Sequence, residues 1–288
     1  MLSWLRAPRT SSADRARSLA VPPVEELEPV DAAATFLARG RETKGALPVV
    51  ADTLEGAVYS SRGRGYATYN EDAALLLRGS EDVLWMAAFD QAGGLGGEIR
   101  GDGSGLAAER VARALRAPQA ETPLLERLTD ALTDAHQLLL SRQEGEVTTA
   151  VVARLEGDGR IQLATSGDSG ALLFGAEGEL LAMNELHVAL GPENIGCLTH
   201  ALGLEPEGPD ILTTEWRLPA GGALLLCSDG LLDSGLDYAD IGRALTARGN
   251  LVDHVNALCA KILRRMSFYR SKPDNLTVVA ARTKPSES

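Results

Sequence analysis

Acidic side chains recur in this sequence at the ends of short apolar runs. The set consists of Glu71 and Asp72 before A-A-L-L-L, Asp90 after V-L-W-M-A-A-F, Asp168 in the turn S-G-D-S-G, Asp229 after A-L-L-L-C-S, and Asp274 before N-L-T-V-V-A-A. Carboxylates at strand ends can meet at one edge of a sheet. There they repel each other unless cations or strong hydrogen-bond donors neutralise them.

Oxygen-rich sites of this kind suit hard cations such as Mg²⁺ or Mn²⁺, and a water shared by two such ions is a ready nucleophile. Each position taken alone is also explained as a turn, because Asp and Asn are common turn residues, and Asp168 is the clearest such case. The ordered set N-E-D, F-D-Q-A-G-G, S-G-D-S-G, C-S-D-G and P-D-N is hard to produce by turn chemistry alone. The set therefore favours a metal centre.

The same motifs in the same order resemble the metal-dependent protein serine/threonine phosphatases of the PPM, or type 2C, family in its bacterial form. The resemblance extends from about Gly56 to Arg282 and includes T-T-A at residues 148–150 and L-T-H-A-L-G at residues 198–203. It implies an α+β fold, a four-layer α-β-β-α sandwich of two mainly antiparallel sheets flanked by helix pairs. It also implies hydrolysis of phosphoserine or phosphothreonine on proteins through a metal-activated water.

The resemblance implies that Asp90 bridges two Mn²⁺ or Mg²⁺ ions. Asp229 and Asp274 match the other direct ligands of the first ion, and Asp90 and Asp229 match catalytic positions. Gln91 stands where the family has a glycine whose backbone carbonyl is a ligand. A backbone oxygen does not depend on the side chain, so we expect Gln91 to serve if it adopts the required backbone angles.

The resemblance assigns the remaining acidic residues to outer positions of the metal centre. Glu71 matches the residue that holds the second ion through water, and Asp72 matches an accessory carboxylate. Asp168 and Asp229 match the ligands of a third, weaker ion that many members bind. The four histidines of the sequence are spread over different elements, and we interpret them as structural or surface residues.

The sequence departs from the family at the arginine that binds the substrate phosphate, because Ala67 occupies that position. Arg62 and Arg64 lie nearby and are the candidates for phosphate binding, with solvated loop arginines as the alternative interpretation. Loss of the family arginine removes both a positive charge and the bidentate hydrogen bonds that orient the phosphate. Ala67 and Gln91 therefore motivate an alternative function, a phosphoprotein-binding pseudophosphatase, and a non-enzymatic acidic scaffold is a further alternative.

Short apolar runs with glycine-rich breaks predict the strands that position these residues. The predicted strands are residues 57–61, 73–78, 83–89, 149–155, 161–166, 171–174, 211–216, 223–228 and 276–281. Apolar residues at three- and four-residue steps predict helices at 105–116, 124–142, 238–247 and 252–266. Strands in runs with helices inserted in pairs favour a layered α+β protein over a doubly wound parallel sheet.

The residue composition and the pattern of apolar residues change near residue 55. Residues 1–54 mix Arg, Ser, Pro and Glu, with a short helix predicted at 30–39, and we interpret them as a flexible or loosely docked N-terminal extension. Residues 55–283 are the predicted phosphatase domain, and residues 284–288 a tail.

Charge and hydropathy limit the partners. The net charge of −12 disfavours nucleic acid, and no apolar run is long enough for a membrane span. The N-terminus lacks the apolar core of a secretory signal, which predicts a cytoplasmic protein. The expected partner is a phosphorylated protein that a serine/threonine kinase has modified, as in signalling.

Overall fold

The computed structural model describes residues 34–37, 40–64, 69–79, 82–92, 102–116, 123–142, 145–190 and 197–284. The strands are β1 (Ala34–Leu37), β2 (Leu47–Val50), β3 (Leu54–Ser61), β4 (Ala73–Arg78), β5 (Val83–Phe89), β6 (Gln91–Ala92), β7 (Val147–Thr148), β8 (Ala150–Glu156), β9 (Arg160–Ser166), β10 (Gly170–Phe174), β11 (Leu180–Met183), β12 (Leu212–Arg217), β13 (Ala223–Cys227) and β14 (Leu276–Thr283). The helices are α1 (Gly103–Arg116), α2 (Leu124–Arg142), α3 (Asp229–Leu232), α4 (Tyr238–Thr246) and α5 (Leu251–Ser267).

The strands form two six-stranded sheets and one short pair. The first sheet has the order β1-β4-β5-β8-β9-β12, the second has the order β11-β10-β13-β14-β3-β2, and β6 pairs with β7. The pairings among the described strands are antiparallel. Antiparallel pairing places the start of one strand beside the end of its neighbour, so both kinds of strand end share an edge of the sheet.

Three apolar cores separate four layers. Successive residues of a strand point to opposite faces, so Leu76 packs between the two sheets while Leu75 packs under α1 and α2. On the second sheet, Leu226 faces the first sheet, and Leu225 faces α4 and α5 together with Ile262. The predicted four-layer α-β-β-α sandwich of two antiparallel sheets and two helix pairs is confirmed.

The predicted strands and helices are observed with ends that differ by a few residues, and α2 has the predicted limits. The helix predicted at residues 30–39 is wrong at Ala34–Leu37, because these residues form β1 and pair with β4. The strands β2 and β11 were not predicted either. These strands are short, and their partners supply the hydrogen bonds that hold them extended.

The predicted domain boundary at residues 54 and 55 lies within β3. Upstream of it, β1 adds an edge strand to the first sheet and β2 adds one to the second. Val49 of β2 is 2% exposed and belongs to the core between the sheets. Residues 34–54 therefore contribute described strands to the sandwich, whereas residues 1–33 lie outside the described part of the chain.

The register of the strands brings the acidic motifs to one edge. Ala73 at the start of β4 lies opposite Phe89 at the end of β5, and Gly170 at the start of β10 lies opposite Cys227 at the end of β13. Asp72 and Asp90 are adjacent in the chain to the first pair, and Asp168 and Asp229 lie two residues from the second pair. Within the described residues, no helix combines the length and the apolar character needed to cross a membrane.

Candidate metal centre

Asp90 follows the last residue of β5 and is fixed through its backbone. Its carbonyl accepts hydrogen bonds from the Thr149 amide (2.9 Å) and the Thr148 hydroxyl (3.0 Å), and its amide donates to Thr149 Oγ1 (3.1 Å). The carboxylate then faces the N-terminus of α3, where the Asp229 amide donates to Asp90 Oδ2 (3.4 Å). The T-T-A segment thus holds the backbone that presents Asp90 to Asp229.

The carboxylates lie close enough to perturb each other. Burial, followed by the charges of Asp72, Asp229, Asp274 and Asp168, raises the pKa of Asp90 well above its ordinary value. Like charges in a partly desolvated site disfavour ionisation of each other, which is the condition that a bound cation relieves. The structure thus brings together residues from separate motifs that the sequence predicted to converge.

Asp72 lies deepest in this group and is 1% exposed. Its Oδ2 accepts a hydrogen bond from the Ser228 hydroxyl (2.8 Å), and Ser228 Oγ in turn accepts one from the Thr277 amide (3.0 Å). Burial raises the pKa of Asp72 above its usual range. Within the described residues, Asp72 Oδ1 has no hydrogen-bond partner. A buried acceptor of this kind is unsatisfied unless a proton, water or cation reaches it.

Glu71 is held beside Asp274 by Asn275, the third residue of the P-D-N motif. The Glu71 amide donates to Asn275 Oδ1 (2.8 Å), and Asn275 Nδ2 donates to the Tyr69 carbonyl (3.2 Å). The Asn275 amide donates to Asp274 Oδ1 (2.9 Å). Burial and then the charge of Asp274 raise the pKa of Glu71. One asparagine therefore joins the start of β4 to the start of β14.

Asp168 occupies the turn between β9 and β10. His187 braces this turn, because its amide donates to the Gly167 carbonyl (3.0 Å) and its Nδ1 accepts from the Gly167 amide (3.2 Å). Burial and the charge of Asp229 raise the pKa of Asp168 to about 6. His187 thus has the structural role expected for it, next to a predicted metal ligand.

Lys272 is the residue at this centre that the sequence reasoning missed. Its ammonium donates to Asp229 Oδ2 (2.7 Å) and lies 2.8 Å from Asp274 Oδ2 and 3.8 Å from Asp233 Oδ2. Burial opposes the shift, but Asp229 and Asp274 raise the pKa of Lys272 above its ordinary value. The available signal was its position two residues before Asp274.

Comparison with known proteins identifies the family to which the chain belongs. The family model described as stage II sporulation protein E (SpoIIE) matches residues 101–284, which is more than half of the chain. The chain belongs to the SpoIIE family. No curated protein sequence matches it significantly.

Solved structures extend the comparison to the whole sandwich. The Mycobacterium tuberculosis serine/threonine phosphatase PstP/Ppp is 25% identical with a TM-score of 0.62, over 81% of this chain and 100% of that one. A PstP catalytic domain in complex with 2 manganese ions is 26% identical with a TM-score of 0.61, over 81% and 99%. The S. agalactiae serine/threonine phosphatase is 22% identical with a TM-score of 0.64, over 80% of this chain and 100% of that one. These matches confirm the predicted PPM relationship of this SpoIIE-family chain.

Gln91, a departure from the PPM pattern in this SpoIIE-family chain, uses its side chain for structure. Gln91 is buried, its Oε1 accepts a hydrogen bond from the Ser104 amide at the start of α1 (3.0 Å), and its backbone pairs with Thr148. It does not share the positive φ of Asp82 and Tyr269, so its position does not demand glycine. Metal ligation by the Gln91 carbonyl stays a prediction.

The turn with Arg62 and Arg64 packs directly on the backbone of the P-D-N motif. Gly63 has φ +72°, and a Cβ there would lie 1.7 Å from the Asp274 carbonyl oxygen, so this approach requires glycine. Arg62 Nε lies 3.5 Å from Glu42 Oε1. Arg64 lines a cavity of about 380 Å³ with residues of α5, among them Arg264. Phosphate binding by either arginine stays a prediction, and Ala67 lies outside the described residues.

The donor set fits a hard divalent cation by its chemistry. It consists of carboxylate oxygens, it contains the unsatisfied Oδ1 of Asp72, and two of its members already hold the Lys272 ammonium. As they stand, no three acidic, histidine or cysteine side chains among the described residues are arranged to hold an ion directly. The ammonium between Asp229 and Asp274 occupies the space between two of the predicted ligands.

Proposed function

We propose that this chain is a divalent-metal-dependent phosphatase that hydrolyses phosphoserine or phosphothreonine on proteins. The observation that carries the proposal is the convergence of Asp90 with Asp72, Asp168, Asp229 and Asp274 at one edge of the sandwich, where burial and then their charges raise the pKa of Asp90. The SpoIIE-family match and the likeness to PstP, which has been solved with 2 manganese ions, support it.

The inner carboxylates would hold Mn²⁺ or Mg²⁺. Asp90, Asp229 and Asp274 are the proposed direct ligands, and the Gln91 carbonyl joins Asp90. When bound, such cations stabilise negative charge on phosphoryl oxygens and promote the deprotonation of water. The backbone hydrogen bonds from Thr148 and Thr149 keep Asp90 oriented, so the chain supplies a preorganised anionic cradle for the cations.

The outer residues support this arrangement. Glu71 is proposed to hold the second ion through water, Asp72 to act as an accessory carboxylate, and Asp168 with Asp229 to hold a third ion. Arg62 and Arg64 are the proposed contacts to the substrate phosphate, since they flank Gly63, whose backbone packs against the Asp274 carbonyl. The expected substrate is a phosphorylated protein, a target of a serine/threonine kinase, and the net charge of −12 disfavours nucleic acid.

A second candidate is a phosphoprotein-binding pseudophosphatase with weak turnover or none. The observation that favours it is the Lys272 ammonium, which pairs with both Asp229 and Asp274 without a divalent ion. Ala67, where the family carries its phosphate-binding arginine, points the same way. Both candidates predict a fold that recognises phosphorylated protein, and turnover separates them.

The test combines Mn²⁺ binding with hydrolysis of para-nitrophenyl phosphate and a phosphothreonine peptide. We expect hydrolysis with Mn²⁺ that EDTA abolishes. Asp90→Asn should lower the rate about a thousandfold, because metal-ion stabilisation contributes about 4 kcal/mol or more to such reactions. Asp240→Asn, an exposed carboxylate of α4 paired with Arg243, is the matched control and should keep the wild-type rate.

Two outcomes would contradict the first candidate in different ways. An Asp90→Asn protein with the wild-type rate overturns the metal-centre assignment. A wild-type protein that binds Mn²⁺ but hydrolyses neither substrate establishes the pseudophosphatase. The melting temperature of metal-free Asp90→Asn should equal or exceed that of the wild type, because the substitution removes one of several mutually repelling charges. A large drop would show that the substitution destabilises the fold.

A further inference from the structure

Lys272 is placed where a divalent cation is expected. Its Nζ lies 2.7 Å from Asp229 Oδ2 and 2.8 Å from Asp274 Oδ2, distances typical of charge-assisted hydrogen bonds. Asp233 Oδ2 adds a third negative group at 3.8 Å. The two close partners are the residues proposed as ligands of the first ion. One monovalent cation of the chain itself therefore occupies this pair of carboxylates.

The backbone around Lys272 is anchored on both sides. On the N-terminal side, Arg265 Nη2 donates to the Arg270 carbonyl (3.2 Å), and Arg265 Nε donates to the Ser234 carbonyl (2.7 Å). On the C-terminal side, Asn275 is tied to the backbone before β4. The segment between α5 and β14 therefore presents Lys272 at the carboxylates through a fixed backbone.

The side chain of Lys272 retains a route away from the centre. It is 52% exposed, whereas Asp229 and Asp274 are 22% and 20% exposed. A lysine side chain has a flexible stem of four methylene groups. The ammonium of Lys272 can therefore leave the carboxylates and be hydrated by water without movement of the anchored backbone. The exchange is unfavourable while the carboxylates are otherwise uncompensated, and it becomes favourable when a cation of higher charge replaces the ammonium.

We propose that Lys272 is a built-in counter-ion of the metal centre, which competes with divalent cations for Asp229 and Asp274 and thereby lowers the affinity of the centre for them. The proposal rests on the proposed metal-dependent function and adds a residue that sets its metal requirement. It assigns Lys272 two measurable effects. The metal-free protein is stabilised by the ammonium, and the metal-bound protein must displace it.

The first experiment is calorimetric titration of Mn²⁺ into the full chain after removal of metal with EDTA and desalting. Lys272→Gln should bind Mn²⁺ about tenfold more tightly than the wild type, because no ammonium has to leave the carboxylates. Lys272→Arg keeps the positive charge and should stay near the wild-type affinity. Lys261→Gln is the matched control, since Lys261 is 49% exposed and lies 3.7 Å from Asp240 Oδ2 on another surface.

The second experiment measures melting temperatures of the same proteins in EDTA and in saturating Mn²⁺. Lys272→Gln should melt below the wild type in EDTA, and this deficit should disappear in Mn²⁺, whereas a merely structural lysine would leave the same deficit in both. If Lys272→Gln proves unstable in EDTA, the Mn²⁺ affinity of Lys272→Arg still provides a result that can overturn the proposal. The proposal is overturned if Lys272→Arg binds Mn²⁺ as tightly as Lys272→Gln does, or about tenfold more tightly than the wild type.

The outcomes separate this inference from the proposed function. Equal Mn²⁺ affinities of the wild type, Lys272→Gln and Lys261→Gln overturn the role of Lys272 and leave the phosphatase proposal intact. Absence of Mn²⁺ binding in all variants, Lys272→Gln included, overturns the metal centre itself and with it the competition. A gain in Mn²⁺ affinity that is confined to Lys272→Gln supports both the competition and the metal centre.

Discussion

The pKa of Asp168 is changed by the burial and the close spacing of the carboxylates at this centre. Burial and the charge of Asp229 raise its pKa to about 6 in the folded protein, compared with 3.8 for an unperturbed Asp. The folded chain therefore binds this proton more tightly than the unfolded chain does. Its ionisation costs folding free energy, which is absent at low pH and increases as pH rises from about 4 to above 6.

Asp168→Asn is therefore expected to stabilise the metal-free protein in a pH-dependent manner. Near pH 4 the variant and the wild type should have similar free energies of unfolding. At pH 7 the variant should be more stable by up to about 3 kcal/mol, because one pKa unit corresponds to about 1.4 kcal/mol. Urea unfolding of both proteins in EDTA at pH 4 and pH 7 measures these free energies of unfolding.

The control for the lost charge is Asp130→Asn, at an exposed position of α2. A stability difference for Asp168→Asn that is the same at pH 4 and pH 7 would show that Asp168 is not perturbed by its neighbours in the folded chain.

At the scale of elements, β14 is fixed at the end opposite Asp274 by a buried arginine. Arg282 is 4% exposed, and its Nε donates to Glu55 Oε1 of β3 (2.6 Å). Its Nη1 donates to the carbonyls of Leu245 (2.8 Å) and Ala247 (2.6 Å), and its Nη2 donates to the carbonyl of Gly249. One guanidinium thus satisfies the C-terminal end of α4 and joins it to two strands.

Arg282→Ala should lower the free energy of unfolding by about 3–5 kcal/mol. The substitution leaves Glu55 and several helix-end carbonyls without their donor, and breaking a buried ion pair by removing one partner has effects of this size. The matched control is Arg78→Ala, because Arg78 pairs with Asp52 at 2.7 Å on the surface. Its loss should cost about 1 kcal/mol or less.

Chemical denaturation of the two arginine variants provides the comparison. Equal effects of the buried and the exposed substitution would contradict the role assigned to Arg282 in joining α4 to the second sheet.

At the scale of the whole molecule, both sheets are completed by strands near the start of the described chain. The strand β1 covers the edge of β4 in the first sheet, and β2 covers the edge of β3 in the second. Val49 and Ala51 are each 2% exposed in the core between the sheets. This part of the chain stabilises the sandwich, although its composition resembles that of a linker.

Deletion of residues 1–51 should therefore lower the melting temperature by several degrees or cause aggregation. The deletion removes two strands, exposes the edges of β3 and β4 and takes two buried side chains out of the core. Deletion of residues 1–32 removes none of the described strands and serves as the control against which the effect of losing β1 and β2 is measured.

Differential scanning calorimetry of the two truncated proteins tests this expectation. If the protein that lacks residues 1–51 melts cooperatively at the temperature of the full chain, β1 and β2 do not contribute to the stability of the sandwich.

The sequence by itself determined the features that depend on local order. Apolar runs and helical periodicity predicted the long strands and helices, such as β5 and α2, because those patterns match one element whatever lies around it. The acidic motifs at the ends of β5, β13 and β14 indicated that Asp90, Asp229 and Asp274 would meet. These predictions needed only the length and spacing of the apolar residues and the geometry of strand ends.

Tertiary structure alone decided the features that depend on distant partners. The strands β1 and β2 are too short to be stable by themselves and exist because β4 and β3 bind them. Lys272 reaches Asp229 across the start of β14, and Ser228 reaches Asp72 from a remote part of the chain. Such contacts arise from sheet register and packing, which bring together side chains whose separation in sequence carries no signal of their proximity.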